Sequence, residues 1–448
     1  MTTLNNGSHP IDYAVTGGNF GTADMRDIWS EKNRLKQQFV IEQALAKVEG
    51  EANVIPQLAA ETIDKIKFED IDFDNVITVS HAKQHSLLGL IQELQRLAGH
   101  NGEYIHYGAT TQDIVDTGLV LQIRSSIELI TLRLQKIIAT LTQLTKKYAQ
   151  TPYMAHTHGV QAVPITLGFK FARYVDEFKR HLQRLEQSKS DVLTGNFAGA
   201  VGSHSALGEQ GLVIERRLLD ELQLNTPEVA WHTAPDRIVN YTSILTLIGA
   251  TAGKLGKELF HAAGNEINEI TEPFVGQVGS STMPHKRNPE NFEGVWALVE
   301  PIFQSQNLLQ HSLLSLGERD ASSWKMLWLA LPEIHNYLDV QLSTLVHILP
   351  NIEIHTKKIA ENAAILGPLV YAEKLMIDLG KTIGKQTAHE VIYEAAMATL
   401  SQPENFLQRV ADNSLVTFSE AELEAIVAQQ DVTVAIPTII QNILGEKI

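Results

Sequence analysis

The run Gly279-Ser280-Ser281-Thr282-Met283-Pro284-His285-Lys286-Arg287-Asn288-Pro289 crowds hydroxyls, a lysine, an amide and two prolines into eleven residues. Gly279 opens backbone angles closed to other residues. Pro284 and Pro289 restrict the residues before them and remove two backbone donors. Such a segment is neither the middle of a helix nor that of a central strand, so a shaped loop is predicted. Ser280, Ser281, Lys286 and Asn288 beside exposed N–H groups are equipment for holding an anion.

Further segments share this character. In Tyr104–Asp113 (YIHYGATTQD), Gly108, Thr110, Thr111 and Gln112 precede a predicted helix. An ordinary N-cap explains one threonine, whereas a carboxylate site at the positive helix end explains the cluster. In Met154–Pro164 (MAHTHGVQAVP), His156 and His158 flank Thr157, and Gln161 follows. The two histidines could ligate a metal, but no third ligand is paired with them in sequence. A single proton-transfer histidine is the better reading, against a plain surface or core histidine. In Ser80–Leu90, His81 and His85 lie four apart, and His85 leads an apolar run. Glu318–Glu333 sets Arg319, Asp320 and Lys325 among Trp324, Trp328 and Leu331. That pattern is either core packing or a pocket wall, half aromatic and half charged.

Long helices must position these segments. One is predicted from about Gln112 to Gln150, with Thr110 and Asp113 as a capping box. Leu121, Ile127, Ile130, Leu134, Ile137, Leu141 and Leu144 line one broad face of it. At 1.5 Å per residue it is roughly 50 Å long. Others run from about Pro164, suited to a first helical turn, to Leu193, from Asp236 to Glu269, from Pro289 to Leu316 and from Ser323 to Leu349, with a kink expected at Pro332. Shorter helices are predicted before Thr110 and after Leu366. The expected class is all-α: an N-terminal helical domain (1–111), a central bundle of five long helices carrying the loop (112–364), and a small C-terminal helical domain (365–448). Apolar residues in Ser243–Phe260 extend around more than one helix face, which predicts burial against another subunit.

With 448 residues, 44% of them hydrophobic, the chain supports more than one subdomain. A net charge of -16 argues against an electrostatic nucleic-acid binder and against an anionic membrane surface. An acidic chain that binds an acidic small molecule must concentrate its cations locally, as at Lys286 and Arg287. Cysteine is absent, which excludes disulfides, thiolate nucleophiles and thiolate metal sites. No basic region followed by an apolar run opens the sequence, and no apolar stretch of about 18 residues occurs, so a cytoplasmic protein without signal peptide or membrane span is expected.

Taken together, the loop GSSTMPHKRNP, YIHYGATTQD, THG and ERD resemble the fumarase/aspartase superfamily, and the likeness covers nearly the whole chain. It is nearest to the branch of adenylosuccinate lyases and 3-carboxy-cis,cis-muconate cycloisomerases. The resemblance implies anti β-elimination, in which a base removes the proton beside a carboxylate, an aci-carboxylate dianion forms, and a C–N or C–O bond breaks with release of fumarate. A cycloisomerisation is the alternative, and a catalytically inactive binding homologue the alternative of another class. It implies no metal or organic cofactor, a di- or polycarboxylate substrate, and a homotetramer whose active sites are shared between subunits. Ser280 matches the catalytic base and His158 the proposed acid. Lys286, Asn288, Thr110, Thr111, Gln112 and His85 match substrate-binding positions, and Ser281, Met283, Thr157 and Arg319 join that group. The chain also departs from the pattern. The usual GRTHGQ reads Ala155-His156-Thr157-His158-Gly159-Val160, Pro235 stands for an arginine, and Trp328 stands where adenylosuccinate lyases have an arginine. Trp231-His232-Thr233 looks more like the cycloisomerase subgroup. These departures concern the leaving half of the substrate.

Overall fold

The computed structural model describes residues 7–274, 280, 282–429 and 433–446. Gly279 and Ser281 of the anion loop lie outside the described residues. In chain order the helices are α1 (Ala23–Ile28), α2 (Glu31–Glu51), α3 (Gln57–Asp64), α4 (Phe73–Lys83), α5 (Leu88–Ala98), α6 (Thr111–Lys147), α7 (Leu167–Val192), α8 (Glu209–Glu221), α9 (Asp236–Ala262), α10 (Glu290–Ala297), α11 (Val299–His311), α12 (Ala321–Ile348), α13 (Thr356–Ala363), α14 (Ala372–Ile383), α15 (Lys385–Thr399), α16 (Phe406–Ala411), α17 (Glu420–Gln429) and α18 (Ile436–Leu444). The strands are short. β1 (Pro152–Thr157) pairs antiparallel with β2 (Val160–Thr166), and β3 (Ile270–Thr271) with β4 (Glu353–Ile354). The class is all-α, as the sequence predicts.

Contacts divide the chain into two compact units. The first holds residues 1–135, 180–253 and 294–345, and the second 136–179, 254–293 and 346–448. Helices α6, α7, α9, α10 and α12 contribute residues to both. Along α6, Ile123, Ile127, Ile130, Leu134, Ile137, Leu141 and Leu144 are buried at alternating spacings of four and three. That is the period of a helix with one continuous apolar stripe. In the second unit, Leu375, Leu379, Val391, Phe406, Val410 and Leu423 build a core among α14 to α17. Helix α18 lays Ile436 and Ile440 against Ala172.

The structure corrects the expected start of α7. Pro164 does not open a helix; it lies in β2, opposite Met154. The pairing slips between Met154 and His156, where β2 spans one residue more than β1. A bulge of this kind tolerates a residue without an N–H donor. Helix α7 begins at Leu167 instead, and Thr166 Oγ1 accepts the Phe169 N–H at 3.1 Å, an N-cap bond. Two further helices are shorter than expected. The segment after Pro289 is split at Leu298 into α10 and α11, and α9 ends at Ala262 rather than Glu269.

Candidate active site

In the first unit, the segment 104–113 is built around one carboxylate. Asp113 is fully buried at the first turn of α6. Its Oδ2 accepts the Thr110 N–H (3.0 Å) and the Gly199 N–H (3.0 Å). Its Oδ1 accepts the Ala198 N–H (3.1 Å) and meets His232 Nε2 at 2.8 Å. All of its acceptor directions are therefore used, which is how a charge is kept in a dry interior. The bond to Thr110 is the reciprocal half of the predicted capping box. The same node ties down the loop at 196–204. There Thr117 Oγ1 donates to the Asn196 carbonyl and accepts the Asn196 N–H, both at 2.9 Å. Arg319 Nη2 donates to the Ala200 carbonyl at 2.9 Å, which places Arg319 on this loop.

On this base stand the residues expected to meet a substrate carboxylate. Thr110 and Thr111 are half-buried at the helix N-terminus. His85 Nδ1 accepts the N–H groups of Leu87 (3.3 Å) and Leu88 (3.0 Å). In the neutral ring the proton therefore sits on Nε2, which donates to Thr111 Oγ1 at 3.3 Å. Gln112 is placed differently. It is buried, and its Nε2 donates to the His232 carbonyl at 2.8 Å. Gly108, at φ +70°, leaves no room for a side chain, because a Cβ would lie 2.5 Å from Leu207 Cδ1.

One turn further along α6, Asp116 is fully buried and accepts the Trp324 Nε1–H at 2.7 Å. Burial pushes its carboxyl up to about 7, against the opposing effect of His232 and of its hydrogen bonds. Trp324 packs on Trp328 with ring centroids 4.6 Å apart, and the Arg34 guanidinium lies 5.7 Å from the Trp328 centroid. Sequence reasoning took Asp113 for a cap and missed Asp116. The available signal was two acids three residues apart inside an otherwise apolar helical stretch.

In the second unit, the expected proton-transfer residues sit on turns. Ser280 is half-buried, and its Oγ accepts the N–H groups of Thr282 (3.2 Å) and Met283 (2.9 Å). Donors aimed at a hydroxyl oxygen favour its ionised form. The Lys286 N–H closes a turn onto the Met283 carbonyl at 3.0 Å, and the Met283 and Lys286 side chains are exposed. Arg287 stacks over Phe274 at 4.5 Å from the ring centroid. Residues 282–289 contain neither helix nor strand, as predicted. Glu272 anchors the segment that follows: its carboxylate accepts the Phe292 N–H at 2.6 Å and the Asn291 amide at 2.7 Å.

Thr157 and His158 form the tip of the β1–β2 hairpin. Both turn residues have positive φ, +53° at His158 and +84° at Gly159. This is the pattern of the tight primed turns that match strand twist. Both Thr157 and His158 are exposed.

Among the described residues, no group of three or more His, Asp or Glu side chains could hold a metal ion. No helix among them is long and apolar enough to cross a membrane.

Comparisons with known proteins bear on the family and the fold. Residues 18–300 match a family model described as "Lyase", and residues 368–443 one described as "Adenylosuccinate lyase C-terminus". The chain is 43% identical to an N-acetyl-S-(2-succino)cysteine lyase of Enterococcus italicus, over 93% of each chain. It is 45% identical to the enzyme of that name from Dickeya dadantii, over 89% of this chain and 88% of that one. The solved structure of a 3-carboxy-cis,cis-muconate lactonizing enzyme from Pseudomonas putida superposes with a TM-score of 0.87 at 29% identity, covering 96% of this chain and 98% of that one. The chain belongs to the fumarase/aspartase superfamily, in the branch of adenylosuccinate lyases and carboxymuconate cycloisomerases, and is a lyase.

Proposed function

We propose that the chain releases fumarate from a succinylated thiol, N-acetyl-S-(2-succino)cysteine or a near analogue, by anti β-elimination. The observation that carries the chemistry is Ser280, whose Oγ already faces two backbone N–H donors. In this reading the Ser280 alkoxide takes the proton beside the far carboxylate. Lys286 and Asn288 stabilise the dianion, and Thr110, Thr111 and His85 of another subunit of the proposed tetramer hold the other carboxylate. The electron pair then expels sulfur, giving fumarate and a thiolate. A cysteine-type thiol has a pKa near ~8.5, so it leaves with far less help from an acid than an amine needs. His158 is the group that returns the proton.

Two considerations favour sulfur over the nitrogen or oxygen expected from the motifs. The relatives at 43% and 45% identity are both named for a succinyl thioether. The position where a nucleotide phosphate would meet arginine carries Trp328, packed on Trp324. We also propose a cytoplasmic homotetramer. Leu247, Trp296, Phe303, Leu314, Leu316 and Leu329 of the first unit are exposed, apolar side chains that a subunit contact would cover.

The test is a substrate panel: N-acetyl-S-(2-succino)cysteine, adenylosuccinate, argininosuccinate, aspartate, malate and carboxymuconate. Fumarate formation and thiol release are followed together. The thioether is expected to be turned over with one thiol per fumarate. Turnover of adenylosuccinate or carboxymuconate with none of the thioether would overturn the reading.

A further inference from the structure

Behind the β1–β2 hairpin, wholly within the second unit, lies a cavity of about 270 Å³. Pockets that hold a whole drug-sized ligand run from about 300 to 1,000 Å³, so this one has room for one end of a small molecule. The hairpin register explains who lines it. Counting back from the two-residue turn at His158-Gly159, Thr157 pairs with Val160, and Gln161 stands directly opposite His156. Directly opposed residues project to the same face of an antiparallel pair, and both line the cavity. His156 is two residues from His158, so the cavity opens beside the hairpin tip.

Gln161 is oriented by its own bonding. Its Nε2 donates to the Asn362 carbonyl at 2.7 Å. Asn362 in turn donates to the Ile267 carbonyl (2.8 Å) and to Glu269 Oε1 (2.9 Å). A purely structural tie between hairpin and Asn362 accounts for Nε2 but not for Oε1. Among the described residues Gln161 Oε1 is buried without a hydrogen-bond partner. Such an acceptor, on a residue that lines a cavity, calls for an N–H or O–H donor from whatever fills it. Across the cavity, Lys170 donates to Glu258 and lies 4.8 Å from the Tyr153 ring centroid. An ammonium has three N–H donors, and pairing with Glu258 offsets its charge. Ile165 and Ile365 supply apolar lining.

A neutral amide matches this set: one N–H for the orphaned acceptor, one carbonyl for a lysine donor, and a small alkyl group for the isoleucines. Resting on the proposed thioether reading, we propose that this cavity is the specificity pocket for an acylated amine on the leaving thiol. Gln161 Oε1 accepts the amide N–H, Lys170 donates to the amide carbonyl, and the acyl group lies against Ile165 and Ile365.

The experiment compares kcat/KM for N-acetyl-S-(2-succino)cysteine with that for its isostere in which an ester oxygen replaces the amide N–H. Wild-type enzyme is expected to prefer the amide by about tenfold. Gln161→Leu should bring the ratio close to one, mainly by loss on the amide. Gln161→Glu, which keeps an acceptor, should preserve the preference. An unchanged ratio in Gln161→Leu would mean that Oε1 does not meet the substrate amide, and the pocket assignment falls. Should Gln161→Leu fold poorly, Ile365→Trp serves, because Ile365 is 63% exposed at the cavity rim. It should lower kcat/KM for the N-acetyl substrate more than for S-(2-succino)cysteine, and equal losses overturn the proposal. Wild-type enzyme that turns over no succinyl thioether refutes the proposed function instead. Turnover with an amide-to-ester ratio near one refutes the pocket alone.

Discussion

In the first unit, the residues expected to bind carboxylate stand on a buried and satisfied hydrogen-bond node. In the second, the residues expected to move protons stand on turns. Asp113 has four partners and no exposure. Ser280 has two bonds within its own loop, and His158 is exposed at a hairpin tip. The difference follows from what each group must do. A site for a fixed charge gains from donors oriented before the substrate arrives. A proton-transfer group must approach carbon or a leaving atom, and turns present single side chains without a helix face around them. Changes at these turns should therefore alter rate with little change in stability, whereas changes at the buried node should cost stability.

Ser280→Ala is the severest test. Its side-chain bonds are local, so the fold is expected to persist with an unfolding midpoint close to wild type. The rate constant kcat should drop by about 10³ or more, the scale of losing a positioned catalytic group. Near-normal turnover would remove Ser280 as the base. Asp113→Ala should do the opposite. It leaves three backbone N–H groups and His232 facing a gap, which costs about 3–5 kcal/mol in chemical denaturation. A loss below about 1 kcal/mol would show that the node is not what holds Thr110 and the loop at 196–204.

Asp116 sharpens the same contrast through pH. Burial raises its folded pKa from the ordinary 3.8 to about 7. Between those values the unfolded chain has released a proton that the folded chain retains, so this residue makes stability fall as pH rises from about 4 to 7 and level off above. Asp116→Asn keeps an acceptor for Trp324 and removes the titration. It should match wild type near pH 4 and exceed it by a few kcal/mol at pH 8, read from urea midpoints at both pH values. Identical pH profiles for variant and wild type would count against a protonated Asp116.

Much of this organisation is written in short-range pattern. Helix α6 was expected from Gln112 and starts at Thr111, because three-and-four spacing and a Thr–Asp cap are local signals. The loop at 282–289 was legible from its two prolines. Partners far apart in sequence were not legible. Asp113 meets Ala198 and His232, 85 and 119 residues away, and no spacing rule encodes such pairs. The β1–β2 hairpin was missed for another reason. Its turn is His-Gly rather than Asn-Gly or Asp-Gly, and Pro164 mimics a helix start. Gln161 beside His156 follows from the two-residue turn at 158–159, so missing the hairpin meant missing that pair.

The two glycines with positive φ nearest these residues give the finest version of the comparison. Gly108 (φ +70°) is in the first unit and Gly159 (φ +84°) in the second. An alanine at either carries the backbone cost of a left-handed conformation, about 1 kcal/mol. At Gly159 a Cβ meets nothing within 4 Å, so that cost is the whole effect. At Gly108 the Cβ would lie 2.5 Å from Leu207 Cδ1, and overpacking adds about 1–3 kcal/mol more. Gly108→Ala should therefore lower the urea midpoint clearly more than Gly159→Ala. For Gly159→Ala the more sensitive readout is kcat, because the substitution perturbs the turn that presents His158. Equal stability losses would mean that the first unit relaxes around its site as easily as the hairpin does, and the contrast between a prebuilt carboxylate site and proton-transfer residues on turns would fail.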